Sequence, residues 1–141
     1  MDTKWIRIDP PDIKLEAFLD QKTEEPLEYI IADGESQVKN KVYLSYNNTP
    51  IPGHTITWKF KFWTVDRLEE RAQELYGISF FDLSEEQQEE ILNNTQPNYD
   101  NIGPSEYGEI EPTSTTDENG IATSIYTVGT EPGYIEIRAE N

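Results

Sequence analysis

The sequence contains no cysteine and only one histidine, His54, among its 141 residues. The absence of cysteine excludes disulfides, thiolate nucleophiles and zinc–cysteine sites. Domains of this size that eukaryotes secrete often carry disulfides, so the absence favours a bacterial or phage origin. A catalytic role for His54 would need a positioned nucleophile, and the chain has no nucleophile-elbow sequence. We therefore expect no catalytic site and no enzyme activity.

Long apolar runs are also missing. The opening residues, MDTKWIRIDPPD, lack the apolar stretch of a signal peptide. No run approaches the roughly 20 apolar residues that a membrane helix needs. We therefore expect no insertion into a membrane and no signal peptide in this chain.

Positive charge is scarce. The chain has 28 acidic residues against 11 basic ones, which gives a net charge of −17. Such a field repels phosphate backbones and anionic lipids, so we expect no nucleic-acid partner. The charge either keeps the chain soluble or steers a partner, and solubility is the simpler interpretation.

The length predicts a single domain over residues 1–141 with one real core. Hydrophobic residues make up 35% of the chain, which is below the usual globular share, so some segments are expected to lie outside that core. Aromatic residues make up 11%, which argues against wholesale disorder because these side chains need burial.

Residues 1–26 are predicted to form N-terminal strands or an extension. WIRI comes first, and DIKLEAFLD then alternates, with one face made of four apolar residues: Ile13, Leu15, Ala17 and Leu19. LEYIIADG is predicted as a further strand that ends at an Asp33-Gly34 turn.

Two later segments show the clearest alternation. SQVKNKVYLSY places Val38, Val42 and Leu44 on one side, opposite lysines and a tyrosine. HTITWKFKFW places an aromatic-rich stripe opposite threonines and lysines; the stripe is Ile56, Trp58, Phe60 and Phe62. The stripe could be a ligand platform, but at a period of two it is more typical of a sheet core.

Residues 64–107 change to a helical period and are predicted as a helical insertion. VDRLEERAQELYG sets a stripe of Leu68, Ala72, Leu75 and Tyr76, and Gly77 is expected to end the helix. LSEEQQEEILNN begins with a capping box of Ser84 and Gln87. Three acid pairs, Glu69/Glu70, Glu85/Glu86 and Glu89/Glu90, are expected on the solvated faces, whereas a glycosidase needs two acids that converge in a cleft.

The insertion is the most specific feature of the chain, because long ordered loops in sandwiches often carry function. Tyr76, Phe80, Phe81 and Tyr99 are the candidate partner-binding residues. The alternative is that Phe80 and Phe81 pin the helices onto the sandwich.

The chain returns to strands in EYGEIEP, GIATSIYTV and GYIEIRAEN, joined by the turns TTDENG and GTEPG. As a calcium loop aligned on Gly120, TTDENG would put Thr115 at the first ligand position and Tyr126 at the twelfth, where a bidentate Glu is needed. We therefore expect a plain turn. A weak site built from Asp33, Asp117 and neighbouring domains stays open.

Short strands bounded by turns predict a mainly β protein, an antiparallel sandwich. The segment TDENGIATSIYTVGTEPGYIEIRA resembles the final hairpin of bacterial immunoglobulin-like domains of the invasin and intimin type. Those domains typically end with a D-x-N-G-x-A turn and strand, a G-T-x-P-G turn and an alternating strand. The residues that carry this match are Asp117, Asn119, Gly120, Ala122, Gly129, Thr130, Pro132, Gly133 and Ala139.

A second block, ADGESQVKNKVYLSYNNTPIPGHTITWKF, is similar to an earlier part of the same family in the right order. Its matching residues are Ala32, Asp33, Gly34, Pro50, Pro52 and Gly53. The resemblance covers about residues 27–63 and 108–140. The chain departs from the family in the insertion at residues 64–107 and in a longer, more polar N-terminal stretch.

The resemblance implies an immunoglobulin-like sandwich that serves as a non-catalytic binding or spacer module. The expected setting is an adhesin-type protein at the cell surface or outside the cell, without cofactors. Its expected partners are a protein or glycan on a host or neighbouring surface, and adjacent domains of a longer chain. The alternatives are a phage virion or tail domain, and an accessory carbohydrate-binding domain of a larger enzyme.

Overall fold

The computed structural model describes Arg7 and residues 10–141. The predicted WIRI strand lies outside these residues, apart from Arg7. In chain order, the first elements are β1 (Asp12–Leu19), β2 (Gln37–Tyr46), β3 (Thr49–Pro50), β4 (Thr55–Thr64), α1 (Val65–Tyr76), a 3-10 turn (Phe80–Asp82) and α2 (Glu85–Asn94). The remaining strands are β5 (Tyr99–Asn101), β6 (Gly108–Ile110), β7 (Thr113–Thr115), β8 (Ile121–Val128) and β9 (Gly133–Glu140).

The strands form two antiparallel sheets that pack as a sandwich. One sheet has the order β1-β2-β8-β6, with the short β3 also paired to β2. In the other, β4 is central and pairs with β9 along Thr57–Thr64. Because a strand has only two edges, β5 and β7 share the opposite edge of β4. The predicted sandwich with a short helical insertion is confirmed.

Alternating side chains of the central strands fill the space between the sheets. β2 buries Val38, Val42 and Leu44, and β4 buries its aromatic-rich stripe, as the sequence predicts. The core extends to Ile110, Ala122, Tyr126, Val128 and Ile137 from the later strands. Each large apolar side chain that is buried in this way contributes about 1.5–3 kcal/mol. The stripe on β4 is therefore core and not a ligand platform.

The predicted inward face of β1 is only partly correct. Leu19 is buried, but Ile13 and Leu15 are exposed because β1 lies at the edge of its sheet. The pairing with β2 shifts register between Glu16 and Leu19, and Phe18 there takes a φ of 61°. The Phe18 N–H donates to Oδ1 of the buried Asn40, at 3.0 Å, and this bond stabilises the irregular part of the strand.

The predicted strand at LEYIIADG is wrong. Only an isolated bridge joins Leu19 to Pro26, and residues 27–32 form no ladder with another strand. Phe18, the next residue along β1, has a φ of 61°, far from the extended conformation of a strand, so the pairing does not continue beyond it. The segment is instead fixed near its two ends, where Leu27 N–H donates to Phe18 O and Gly34 N–H donates to Gly129 O.

The connections give the sandwich two different poles. Asp12 of β1 pairs with Ser45 at the end of β2, and Glu140 of β9 pairs with Thr57 near the start of β4. β1 therefore begins and β9 ends at the pole where residues 47–54 join β2 to β4. The helical insertion follows Thr64, at the end of β4, and lies at the opposite pole.

Candidate functional site

The two helices of the insertion begin and end on well-defined caps. Thr64 caps α1, because its hydroxyl accepts from Arg67 N–H at 3.2 Å. Gly77 ends α1 at a φ of 69°, which glycine adopts without a Cβ penalty, and its N–H donates to Ala72 O. The capping box of Ser84 and Gln87 is present at the start of α2. Both predicted signals are confirmed.

A second apolar cluster attaches the insertion to the sandwich. It contains Trp63, Leu68, Ala72, Phe80, Leu83 and Ile91, with Tyr134 packed against it. Trp63 of β4 pairs with Tyr134 of β9. Their neighbours Phe62 and Ile135 turn towards the main core, so Trp63 and Tyr134 face the other way. The insertion therefore packs on the outer face of the β4 sheet. Trp63 Nε1–H also donates to Thr95 O at 2.8 Å, which fixes the end of α2.

Glu69 departs from the predicted solvated face. Its side chain is half-buried, and Oε1 accepts from Ser79 Oγ–H at 2.8 Å and from Phe80 N–H at 3.0 Å. The carboxylate therefore joins α1 to the 3-10 turn that follows it. The other five members of the acid pairs are exposed, as predicted: Glu70, Glu85, Glu86, Glu89 and Glu90.

Three large apolar side chains of the insertion remain exposed around the end of α1. Their exposed fractions are 50% for Leu75, 46% for Ile78 and 55% for Phe81. We call these three residues the apolar tip. Leu75 was expected on the buried stripe of α1, but only Leu68 and Ala72 of that stripe are fully covered. The sequence prediction also missed Ile78. A signal was present, because Ile78 directly follows the glycine that ends the helix and therefore lies in the turn, outside the buried stripe.

The four predicted partner-binding residues lie in different environments. Phe80 is fully buried, and its ring meets Tyr134 edge-on with the centroids 5.3 Å apart. It therefore pins the helices, as the alternative proposed, whereas Phe81 is exposed. Tyr76 is half-buried, and its hydroxyl donates to Glu90 at 3.2 Å; partial burial and this bond raise the tyrosine pKa.

Tyr99 lies apart from the other three, in the sandwich. Its ring packs against Phe60 at 5.2 Å and Tyr107 at 5.6 Å, and its hydroxyl accepts from Gly103 N–H at 2.8 Å. The structure therefore brings Tyr76, Phe80 and Phe81 together and assigns Tyr99 to the packing of β5 against the core.

Acidic residues surround the apolar tip in sequence. Residues 65–95 contain nine acids, namely Asp66, Glu69, Glu70, Glu74, Asp82, Glu85, Glu86, Glu89 and Glu90, against two arginines. One of the arginines, Arg71, already pairs with Glu74 at 2.8 Å. An apolar patch in so negative a field suits a partner that is apolar at the contact and basic around it.

The remaining predicted sites form no cluster. His54 is exposed beside its turn. Asp33 accepts from Glu35 and Ser36 N–H at the helical pole, whereas Asp117 accepts from Asn119 and Ile121 N–H at the other end of β8. Eight residues of strand separate these ends by about 25 Å, so the two aspartates of one chain cannot share a calcium ion. Across Arg7 and residues 10–141, no group of three or more histidine, aspartate or glutamate side chains could hold a metal ion.

In the same part of the chain, no helix combines the length and apolar character required to cross a membrane. No protein family, curated protein or solved structure matches the sequence or the fold.

Proposed function

We propose that this chain is a non-catalytic binding module that presents the apolar tip to a protein partner. The observation that carries the proposal is the exposure of Leu75, Ile78 and Phe81 within one seven-residue stretch of an otherwise acidic insertion. Isolated exposed apolar residues need no explanation, but several together mark contact surfaces. Aromatic residues such as Phe81 are also enriched where protein partners meet.

The apolar tip is held in place before any partner binds. Gly77 ends α1 through hydrogen bonds to Ala72 and Gln73, and Glu69 accepts from the N–H of Phe80, the residue next to Phe81. The buried Phe80 ring anchors that turn in the second cluster. A surface that is already ordered loses little conformational entropy on binding, which favours affinity.

The position of the insertion supports a display role. β1 begins and β9 ends at the pole away from the helices, so a carrier joined there would leave the insertion outermost. The family resemblance supports an adhesin-type setting at a cell surface. A virion domain and an accessory carbohydrate-binding domain remain the alternative settings. Residues 64–107 contain no histidine, cysteine or lysine, so a binding role fits their chemistry better than a catalytic one.

Binding of the labelled chain to bacterial cells, cultured host cells and phage particles tests the proposal. The variant for the test carries Leu75→Glu and Phe81→Glu together, and the matched control carries Thr123→Glu on the exposed outer face of β8. All three sites are solvent-facing or half-exposed, so the variants are expected to fold, which circular dichroism would check. Two apolar contacts of this size contribute enough that the double variant should lose at least about tenfold in affinity.

The control separates a contact effect from an effect of added charge. Thr123→Glu should bind like the wild type, because it adds negative charge far from the insertion. The proposal is wrong if the double variant binds as tightly as the wild type, or if none of the three surfaces binds the chain saturably. Binding that free mono- or oligosaccharides compete away would instead favour the carbohydrate-binding alternative.

A further inference from the structure

A second surface, separate from the apolar tip, lies between residues 27–30 and the start of β9. There a groove of about 340 Å³ is lined by Phe18, Leu27, Tyr29, Ile30, Tyr134 and Ile135. Its volume is at the lower end of the range for ligand pockets, which are mostly apolar with a few polar groups. The sequence prediction missed it, because it treated residues 27–32 as a strand.

The groove stays open because the segment that forms one wall does not pair with the other wall. Among the described residues, backbone hydrogen bonds join residues 27–34 to distant parts of the chain at Leu27 and Gly34 only. The other bonds are local, from Asp33 N–H to Ile31 O and from Glu35 and Ser36 to the Asp33 carboxylate. No backbone hydrogen bond between described residues joins this segment to β9. β9 pairs with β4 on one side, and no other described strand pairs with it. The groove therefore borders a strand edge to which an extended polypeptide can hydrogen-bond.

The walls of the groove consist of apolar and aromatic side chains, some of which remain exposed to solvent. Ile30 and Ile135 pack against the main core and form the floor, whereas Leu27 is half-exposed at the rim. Tyr29 is 78% exposed, the highest value among the large apolar and aromatic side chains described. A ligand that covered Tyr29 and Leu27 would remove apolar surface from water, which favours binding by about 25 cal/mol for each Å² covered.

The charge around the groove is negative. Glu28 lines it, and two further exposed glutamates, Glu25 and Glu131, each come two residues before a segment that lines it. The ion pairs of Lys39, Lys41, Arg71 and Arg138 are made with other glutamates, namely Glu24, Glu74 and Glu140. With a net charge of −17 on the whole chain, this field repels an acidic ligand and a second copy of the same chain.

We infer that the groove binds an apolar side chain of a basic polypeptide, which lies extended along the edge of β9. The apolar side chain fills the space between Tyr29 and Ile135, and lysine or arginine residues on either side face Glu28 and its acidic neighbours. This inference does not depend on the apolar tip, since the two surfaces share no exposed residue.

Three synthetic pentapeptides test the inference, with the full chain labelled by ¹⁵N and observed by NMR. They are Lys-Lys-Trp-Lys-Lys, Glu-Glu-Trp-Glu-Glu and Lys-Lys-Ser-Lys-Lys, each with blocked ends. We expect the first to shift the amide signals of Tyr29, Tyr134 and Ile135 saturably, and added salt to weaken its binding. The acidic peptide and the serine peptide should bind at least about tenfold more weakly, because each lacks one of the two matching features.

Two variants locate the binding. Tyr29→Ala should weaken binding of the lysine–tryptophan peptide about three- to tenfold, as expected for loss of an aromatic contact at an exposed site. Thr123→Ala, on the exposed outer face of β8, should leave it unchanged. Shifts of the Tyr29, Tyr134 and Ile135 amides, as opposed to those of Leu75, Ile78 and Phe81, distinguish binding in the groove from binding at the apolar tip. The amide spectrum of each variant reports whether it has folded.

Several outcomes would overturn the inference. If the serine peptide caused equal shifts, charge alone would explain the binding and the groove would bind no apolar side chain. If the acidic peptide caused equal shifts, Glu28 and its acidic neighbours would contribute nothing to binding. Shifts confined to amides away from the groove, or no shifts at all, would show that it does not bind such a segment. Shifts of the groove amides that depend on protein concentration without peptide would make a second copy the occupant.

Discussion

Replacing Glu69 by alanine is expected to destabilise the chain by about 2 kcal/mol. The change removes the acceptor for two hydrogen bonds, from Ser79 Oγ–H at 2.8 Å and from Phe80 N–H at 3.0 Å. Hydrogen bonds to a charged group contribute about 1.5–3 kcal/mol net, and we take the lower part of that range because the carboxylate is only half-buried. For a chain of this size, 2 kcal/mol corresponds to a decrease in Tm of roughly 6–10 °C.

Glu70→Ala provides the matched control, since it removes the same side chain one residue along the same helix. Glu70 is exposed, so its loss should change the free energy of unfolding by no more than about 0.5 kcal/mol. Urea unfolding followed by circular dichroism measures both variants, and hydrogen exchange of the Phe80 amide should quicken only in Glu69→Ala. Equal stability of the two variants would refute the role of Glu69 in joining α1 to the 3-10 turn.

Two further predictions concern the sandwich and its turns. A Cβ at Gly108, where φ is 118°, would lie 2.6 Å from Thr127 O, whereas a Cβ at Gly53, where φ is 71°, would meet nothing within 4 Å. Thermal unfolding should therefore show Gly53→Ala losing about 1–2 kcal/mol and Gly108→Ala at least about 3 kcal/mol, and similar losses would contradict the clash. Hydrogen bonds from the N–H groups of Ser36 and Glu35 hold the pKa of Asp33 below its usual range. Because the folded-state pKa is depressed, the stabilisation from Asp33 is present at neutral pH and is lost as the pH falls from about 5 towards 2. The Tm of Asp33→Ala should consequently fall less over that interval than the Tm of the wild type, and parallel curves would argue against this contribution.

The sequence predicted the elements in which local pattern and burial agree. β2 and β4 alternate strictly and turn one face to the core, so period two was enough to identify the strands and their apolar core residues. It did not predict the burial of Asn40 on β2 or of Trp63 on the opposite face of β4. The helix ends were predictable for a similar reason, because Gly77 and the capping box at Ser84 act through neighbouring backbone atoms. The sandwich followed from these strands and from the turns between them.

The rest depended on contacts that the local pattern does not contain. Ile13 and Leu15 alternate like core residues but lie on an edge strand that the opposite sheet does not cover. Phe80 and Phe81 are adjacent and chemically identical, and only the direction of the 3-10 turn decides which of them is buried. Glu69 and Glu70 differ in the same way. Pattern alone could therefore place the candidate site on the insertion but not choose its exposed residues.

The shared pole of β1 and β9 sets how the molecule responds to mechanical load. In antiparallel pairs the interstrand hydrogen bonds are perpendicular to the strands. A pulling force applied through Asp12 and Glu140 would act at the ends of the β1–β2 and β9–β4 pairs and separate them one residue at a time, like a zipper. Such a geometry resists tension poorly, because few bonds bear the force at any moment. Under such a load the fold is therefore expected to yield first at the pole where residues 47–54 join β2 to β4.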